Sequence, residues 1–313
     1  MAANGIRIHL VEQGTGPLVL LVHGFPESWY SWRHQLPALA AAGYRAVAID
    51  VRGYGRSSKP AEIEAYRMLR HVGDNLAVVE ALGATSAVVV GHDWGAPIAA
   101  TSALLRPDVF KAVAMLSVGY APRGRTRPTD HFRTLGGDEE FYISYFQEPG
   151  RAEAEIEEDV RSWLLGIYVA ASGDALPTPD GRTFGSIPPG RKMRDRFVIP
   201  ETLPAWLSED DLAVYTGEFQ RSGFTGALNR YRNVDRDWED LAVWSNRPIT
   251  VPSLFIGGER DGATHLGART IARFPETLPE LRGSHILTGC GHWTQQERAA
   301  EVNALLLGFL RSL

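Results

Sequence analysis

One cysteine, Cys290, stands in 313 residues, which excludes an intramolecular disulfide and fits a reducing compartment. Lysine is almost missing as well: it occupies only positions 59, 111 and 192 among 32 basic residues. The net charge is −5 and the signs are interspersed, which leaves no basic footprint for nucleic acid or an anionic membrane. No apolar run approaches the ~18 residues of a transmembrane helix. Met1-Ala2-Ala3-Asn4-Gly5 lacks the basic and apolar regions of a secretory leader, so a cytoplasmic location is expected. The nine histidines show no metal-ligand spacing, and neither a metal nor a cofactor is expected. No internal repeat is visible. What is present is ordinary for a globular protein, 44% hydrophobic and 22% charged. The length suggests about two domains, or one large α/β domain carrying an insertion.

Short apolar runs alternate with helical patterns at both ends of the chain. Ile6 to Val11, Leu18 to Val22, Tyr44 to Ile49 and Ala87 to Val90 read as strands, with helical stretches around Trp32 to Ala41 and Leu69 to Ala81. Ala112 to Ser117, Ser253 to Ile256 and His285 to Leu287 continue the series. Thr294-Gln295-Gln296-Glu297 has the pattern of a capping box, and Val302, Leu305, Leu306, Phe309 and Leu310 give the last helix one apolar face. This alternation predicts a doubly wound, mostly parallel sheet flanked by helices. It breaks between about Tyr120 and Trp244, where helical patterns (Ala152 to Ala170, Ser208 to Gln220) flank a loop, Gly173 to Pro200, holding five prolines. The expected division is a core of residues 1–120 and 245–313 and a helical cap of 121–244, inserted between the sixth and seventh strands. Ligands of open α/β sheets bind at the carboxyl edge, so a cap there forms a lid or a pocket wall.

A further absence redirects the chemistry: no Gly-x-Ser-x-Gly occurs anywhere. Gly-x-x-x-Gly pentads are centred on Asp93, Thr183 and Arg260. Only Gly91-His92-Asp93-Trp94-Gly95 follows a strand-like run and precedes a helical one, the layout of a nucleophile elbow. A helix N-cap would explain Asp93 more plainly. Yet the elbow carries a carboxylate where an esterase carries serine. An aspartate that attacks a saturated carbon forms an ester, which water can hydrolyse at the aspartate's own carbonyl; a serine would form an ether that it cannot readily cleave. The pattern points to displacement at an sp3 centre followed by ester hydrolysis.

Asp261 follows the strand-like Leu254 to Gly258, and His292 follows His285 to Gly291. The order Asp93, Asp261, His292 is that of α/β-hydrolase triads. The histidine takes a proton from water while a buried carboxylate fixes its tautomer. His92 and His23 read as structural hydrogen-bonders, and the remaining histidines as surface or packing residues. His23-Gly24-Phe25-Pro26 sits directly after Leu18 to Val22, where this fold donates one amide to an oxyanion hole. The expected donors are the backbone N–H groups of Phe25 and Trp94. The sharp reversal of that loop predicts a cis Phe25-Pro26 bond.

His23 to Trp32, Asp50 to Ser58 and Gly91 to Gly95 resemble the α/β-hydrolase-fold epoxide hydrolases, as do Tyr145-Phe146-Gln147-Glu148-Pro149-Gly150 and Gly291 to Gln295. The likeness spans almost the whole chain, and the Tyr-Phe-Gln-Glu-Pro-Gly segment is its most specific part. It implies the α/β-hydrolase fold, a mostly parallel eight-stranded sheet with a helical cap, and two cap tyrosines that protonate the epoxide oxygen. A phenol with a pKa near ~10 suits that task, because it stays neutral before donating. By resemblance these are Tyr142 and Tyr231; spacing alone does not separate Tyr142 from Tyr145, one helical turn away. Trp29 and Phe146 are candidate pocket residues, although burial in the core explains them equally well. The expected partner is a small-molecule epoxide, with no nucleic acid and no membrane span, and with a homodimer left open.

The elbow and His-Gly-x-Pro also belong to dehalogenases, and haloalkane dehalogenase is the alternative enzyme reading. Against it, Phe25 stands where several haloalkane dehalogenases carry a side-chain donor. No consecutive arginines follow Asp93, as a fluoroacetate-type enzyme would require. A non-catalytic ligand-binding α/β-hydrolase is the third reading, disfavoured because binding needs no activated water.

Overall fold

In the computed structural model, which describes residues 1–313, the strand-like runs assemble into one main sheet. In chain order its strands are β1 (Leu10–Gln13), β2 (Leu18–Val22), β3 (Arg45–Ile49), β4 (Ala87–His92), β5 (Phe110–Leu116), β6 (Ser253–Gly258) and β7 (Leu281–Leu287). Their order across the sheet is β7-β6-β5-β4-β2-β3-β1. All neighbours are parallel except β1, which pairs antiparallel with β3.

β2 shows why these runs must be strands. Leu18, Leu20 and Val22 face one apolar layer, and Val19 and Leu21 face the other, so every residue is buried. Such two-sided burial is available only to a sheet covered on both faces. The smaller layer packs under Gln35–Ala41 and the terminal helix Ala299–Arg311. The larger one is continuous with the segment between β5 and β6, since it contains Phe25 and Val89 together with Phe146, Trp163 and Tyr231.

Three details depart from expectation. The main sheet has seven strands, one from each strand-like run, rather than the eight that the resemblance implies, and Ile6 to Val11 is not one strand. Ile6–Arg7 folds back on Ala2–Ala3, and only Leu10–Gln13 reaches the main sheet. The helical insertion consequently lies between the fifth and sixth strands. The capping box at Thr294 also does not form: the Glu297 carboxylate accepts instead from the amides of Gly173, Gly291 and Trp293 at 2.9, 2.8 and 3.0 Å. Three amides nearer the carboxylate outcompete the one that a box would use.

Between β5 and β6 the chain is helical, as the patterns predict, including Arg151–Glu158, Val160–Ala170, Glu209–Ser222 and Thr225–Tyr231. Asp159 breaks the first pattern in two and caps the second helix through the Ser162 amide. Ser208 caps Glu209–Ser222. The segment is fastened over the carboxyl ends of the strands by polar contacts. The Tyr168 hydroxyl donates to the Pro26 carbonyl at 2.6 Å, and Arg33 pairs with Asp211 at 2.9 Å.

Candidate active site

β4 ends at His92 and the helix Gly95–Leu105 follows at once, so the chain reverses over Asp93 and Trp94. Asp93 has φ +50, a left-handed conformation that non-glycine residues seldom adopt. The flanking glycines permit the turn. A Cβ on Gly91 would lie 2.0 Å from the Gly95 carbonyl, and one on Gly95 would lie 2.0 Å from that of Val22. The Asp93 carboxylate is thereby lifted off the sheet edge.

His292 stands beside it. Its Nε2 is 3.4 Å from Asp93 Oδ2, and its Nδ1 is 3.0 Å from Asp261 Oδ1. Asp261 is buried in the turn after β6, where it also accepts from the Ala263 and Thr264 amides. The Ser117 hydroxyl donates to Asp261 Oδ2 at 2.6 Å and lies 2.9 Å from His292 Nδ1. Burial by itself would raise the Asp261 pKa. The adjacent His292, with the Ser117 and Thr264 hydroxyls, outweighs burial and holds the carboxyl well below the usual range. For His292, burial disfavours the cation, but Asp261 and Asp93 reverse that and raise its pKa well above the ordinary value. Between these two carboxylates the imidazole is held as a cation.

The loop after β2 closes the other side. The Phe25 N–H donates to Asp93 Oδ1 at 2.7 Å, and the Phe25-Pro26 bond is cis. Trp94 is the N-cap of Gly95–Leu105, and its amide is among the donors that helix geometry leaves without an intrahelical acceptor. The Gly24–Phe25 peptide is clamped from behind. Val51 N–H donates to His23 Nε2 at 3.0 Å, so Nδ1 carries the proton and donates to the Gly24 carbonyl at 2.8 Å. Beneath the loop lies Glu27, fully buried, accepting from the Gly24 amide at 3.0 Å and lying 2.7 Å from His92 Nδ1. Burial opposes its ionisation, but His92 and then His23 prevail and lower its pKa. His92 Nε2 donates to the His292 carbonyl at 2.7 Å, so it supports the turn from below as expected.

Tyr142 opens the short helix Tyr142–Tyr145, and Tyr231 closes Thr225–Tyr231. Their rings are 6.3 Å apart, and Phe146 meets them at 5.6 and 5.1 Å. Phe25 meets Tyr231 at 5.4 Å, which ties the pair to the loop beside Asp93. Burial, and next the Asp93 charge, pushes both phenols up, so both are protonated at neutral pH. Tyr145 is engaged elsewhere: its hydroxyl donates to Glu155 at 2.6 Å, and Arg151 covers its ring. Gln147 joins the two tyrosine-bearing segments by donating to the Ile143 and Tyr231 carbonyls at 2.9 and 3.0 Å. Arg232 adds bonds to the Phe146 and Glu148 carbonyls and a two-pronged pair with Glu153. These ties give the Tyr-Phe-Gln-Glu-Pro-Gly segment a physical purpose.

Asp93, Asp261, His292, Phe25, Trp94, Tyr142, Tyr231 and Phe146 therefore gather in one region over the sheet edge. Trp29 does not join them. It begins the turn that leads down to the helix Gln35–Ala41, so its ring meets His9 and Tyr30 and packs with the smaller apolar layer. Glu27, Ser117 and Gln147 were not singled out from the sequence. Glu27 and Gln147 lie within segments that carry the resemblance, whereas Ser117 offers only its position at the end of a strand-like run. No group of three or more His, Cys, Asp or Glu side chains is arranged to hold a metal ion. No helix is long and apolar enough to cross a membrane.

A family model described as the α/β hydrolase fold matches residues 17–168. Together with the elbow and the parallel sheet it defines the class of the protein, an α/β hydrolase. Full-length relatives narrow it. The chain is 47% identical to epoxide hydrolase B of Mycobacterium tuberculosis, over 99% of this chain and 97% of that protein. Among solved structures it is 68% identical to an epoxide hydrolase from an endophytic Streptomyces, with a TM-score of 0.97 over 99% of this chain and 94% of the other. It is 46% identical to epoxide hydrolase A from Mycobacterium thermoresistibile, with a TM-score of 0.92 over 99% and 97% of the two chains. The chain belongs to the epoxide hydrolases of the α/β-hydrolase fold, enzymes that hydrolyse an ether bond.

Proposed function

We propose that the chain converts an epoxide and water to the vicinal diol with Asp93 as nucleophile, within a core of residues 1–120 and 245–313 capped by 121–244. Asp93 Oδ1 already accepts the Phe25 amide, which leaves Oδ2 to attack a ring carbon. The ring C–O bond breaks as Tyr142 and Tyr231 hold the oxygen and one of them gives it a proton. Ester formation then removes the negative charge of Asp93 from beside His292. The imidazolium, raised in pKa partly by that charge, drops toward its ordinary range, gives up its proton to restore the phenolate left by ring opening, and becomes able to accept a proton from water. Water deprotonated by His292 adds to the Asp93 carbonyl carbon. The oxyanion rests on the Phe25 and Trp94 amides. Collapse breaks the acyl C–O bond, releases the diol and regenerates the carboxylate. Phe146 forms part of the pocket wall through its contacts with both tyrosines.

The observation that carries this reading is the pair of protonated phenols, Tyr231 buried and Tyr142 half-buried, beside the elbow carboxylate, because an alkoxide leaving group needs a proton and a halide does not. The experiment is incubation with styrene oxide and, separately, with a chloroalkane. Diol from the first and no halide from the second is expected; halide release without diol would replace this reading by dehalogenation. A cytoplasmic location accords with the free, buried thiol of Cys290.

A further inference from the structure

Arg230 is the residue before Tyr231, and it is almost fully buried, at 2% exposure. One face of it lies over the Trp94 indole, 4.6 Å from the ring centroid. The same indole meets the Tyr231 ring edge-on at 5.1 Å. Arg230 is itself fixed from two directions. Nη1 donates to the Tyr66 carbonyl at 3.0 Å, and Nη2 pairs with Asp237, whose second oxygen accepts the Met68 amide at 2.6 Å. One cation therefore joins the core turn Ile63–Tyr66, the helix Val234–Asp240 and the elbow residue.

Indole and phenol cannot move independently in this arrangement. Trp94 follows the nucleophile directly, and its indole N–H faces the Tyr231 hydroxyl. A guanidinium stacked on an indole away from water is among the stronger forms of cation–π contact. We propose that Arg230 is a positioning residue for epoxide opening: stacked on Trp94, it fixes the indole against which the Tyr231 phenol is set. The role rests on the reading of Tyr231 as a proton donor.

The test compares R230K with the double variant R230M/D237N, in which no buried carboxylate is left without its cation. Ring opening is followed in single turnovers by the rate at which the Asp93 ester appears, with styrene oxide as substrate. R230M/D237N is expected to open the ring about 30-fold more slowly, the factor to which a desolvated cation–π contact converts. R230K, which keeps a cation on the indole, is expected to recover most of that loss. Each change is then repeated in Tyr231→Phe. If Arg230 acts through Tyr231, R230M/D237N costs little once the phenol is gone, whereas a general loosening of the fold slows both backgrounds equally. Equal slowing overturns the proposal, as does wild-type opening by a folded R230M/D237N, or an R230K as slow as the double variant. Tyr231→Phe alone tests the underlying reading: if it opens the ring at the wild-type rate, the proton-donor assignment fails, separately from the Arg230 proposal.

Discussion

Gly24→Ala is the smallest change that strikes the nucleophile. A Cβ at this position would lie 2.2 Å from Asp93 Oδ1 and 2.5 Å from Asp93 Cβ. Both fall short of ordinary contact by about 1 Å or more. The loop cannot simply retreat, because Gly24 is held at its carbonyl by His23 and at its amide by Glu27. Nor can Asp93 yield easily, since it occupies a left-handed turn between two glycines that pack closely against neighbouring backbone. Loop and carboxylate must therefore separate by about 1 Å, which breaks the 2.7 Å bond from the Phe25 amide. A misplacement of that size at a reacting centre costs about 100-fold in rate. We expect Gly24→Ala to lower the rate of Asp93 ester formation by about that factor, measured by rapid quench and intact mass. Thermal unfolding, followed in parallel, separates this from loss of fold. A folded Gly24→Ala enzyme that forms the ester at the wild-type rate would refute the tight fit of loop and nucleophile.

Tyr142→Phe and Tyr231→Phe are each expected to slow ring opening by ~10-fold or more, and the double variant to lose nearly all of it. Tyr145→Phe should leave the rate near wild type, because that hydroxyl is committed to Glu155; the reverse outcome would move the donor by one helical turn. The hydrolytic step should rise with pH through a histidine pKa lower than that of the resting enzyme. Asp93 holds the His292 cation in the resting state, whereas the ester has no charge to do so. Rapid-quench rates of ester decay across pH, set against NMR titration of His292 in the resting enzyme, check the direction.

The placement of Asp93, Asp261 and His292 at one edge of the sheet was legible because the proposed chemistry demands particular residue types at particular points of a regular fold. Asp93 lies between two glycines that no larger residue could replace, so its sequence context is as distinctive as its geometry. Asp261 and His292 follow strands whose ends face the same edge. The choice of Tyr142 over Tyr145 lay in the resemblance, and its physical ground is the Glu155 bond that occupies Tyr145. That bond joins residues from separate helices, which local periodicity does not encode. Glu27 escaped for a similar reason: nothing local in His23 to Trp32 distinguishes an acid buried under the loop from one in solvent. Trp29 failed in the opposite sense. It sits near the oxyanion loop in the chain, yet the turn Trp29–Trp32 carries it to the other face of the sheet. The eighth strand came from the resemblance alone and matched no run in the sequence; what the hairpin with Ala2–Ala3 changed was the extent of the first strand, by taking Ile6 and Arg7.

The most direct test of the covalent mechanism is a single turnover of an epoxide in water enriched in heavy oxygen, with the enzyme in excess. The diol's new oxygen comes from Asp93 Oδ2, and the water oxygen is left on the carboxylate. Mass analysis should therefore find the label in the peptide containing Asp93 and none in the first diol released. In His292→Ala the ester itself should accumulate on that peptide, with little turnover afterwards. Label in the first-turnover diol, with Asp93 unlabelled, would contradict the account and make Asp93 a general base for direct attack by water.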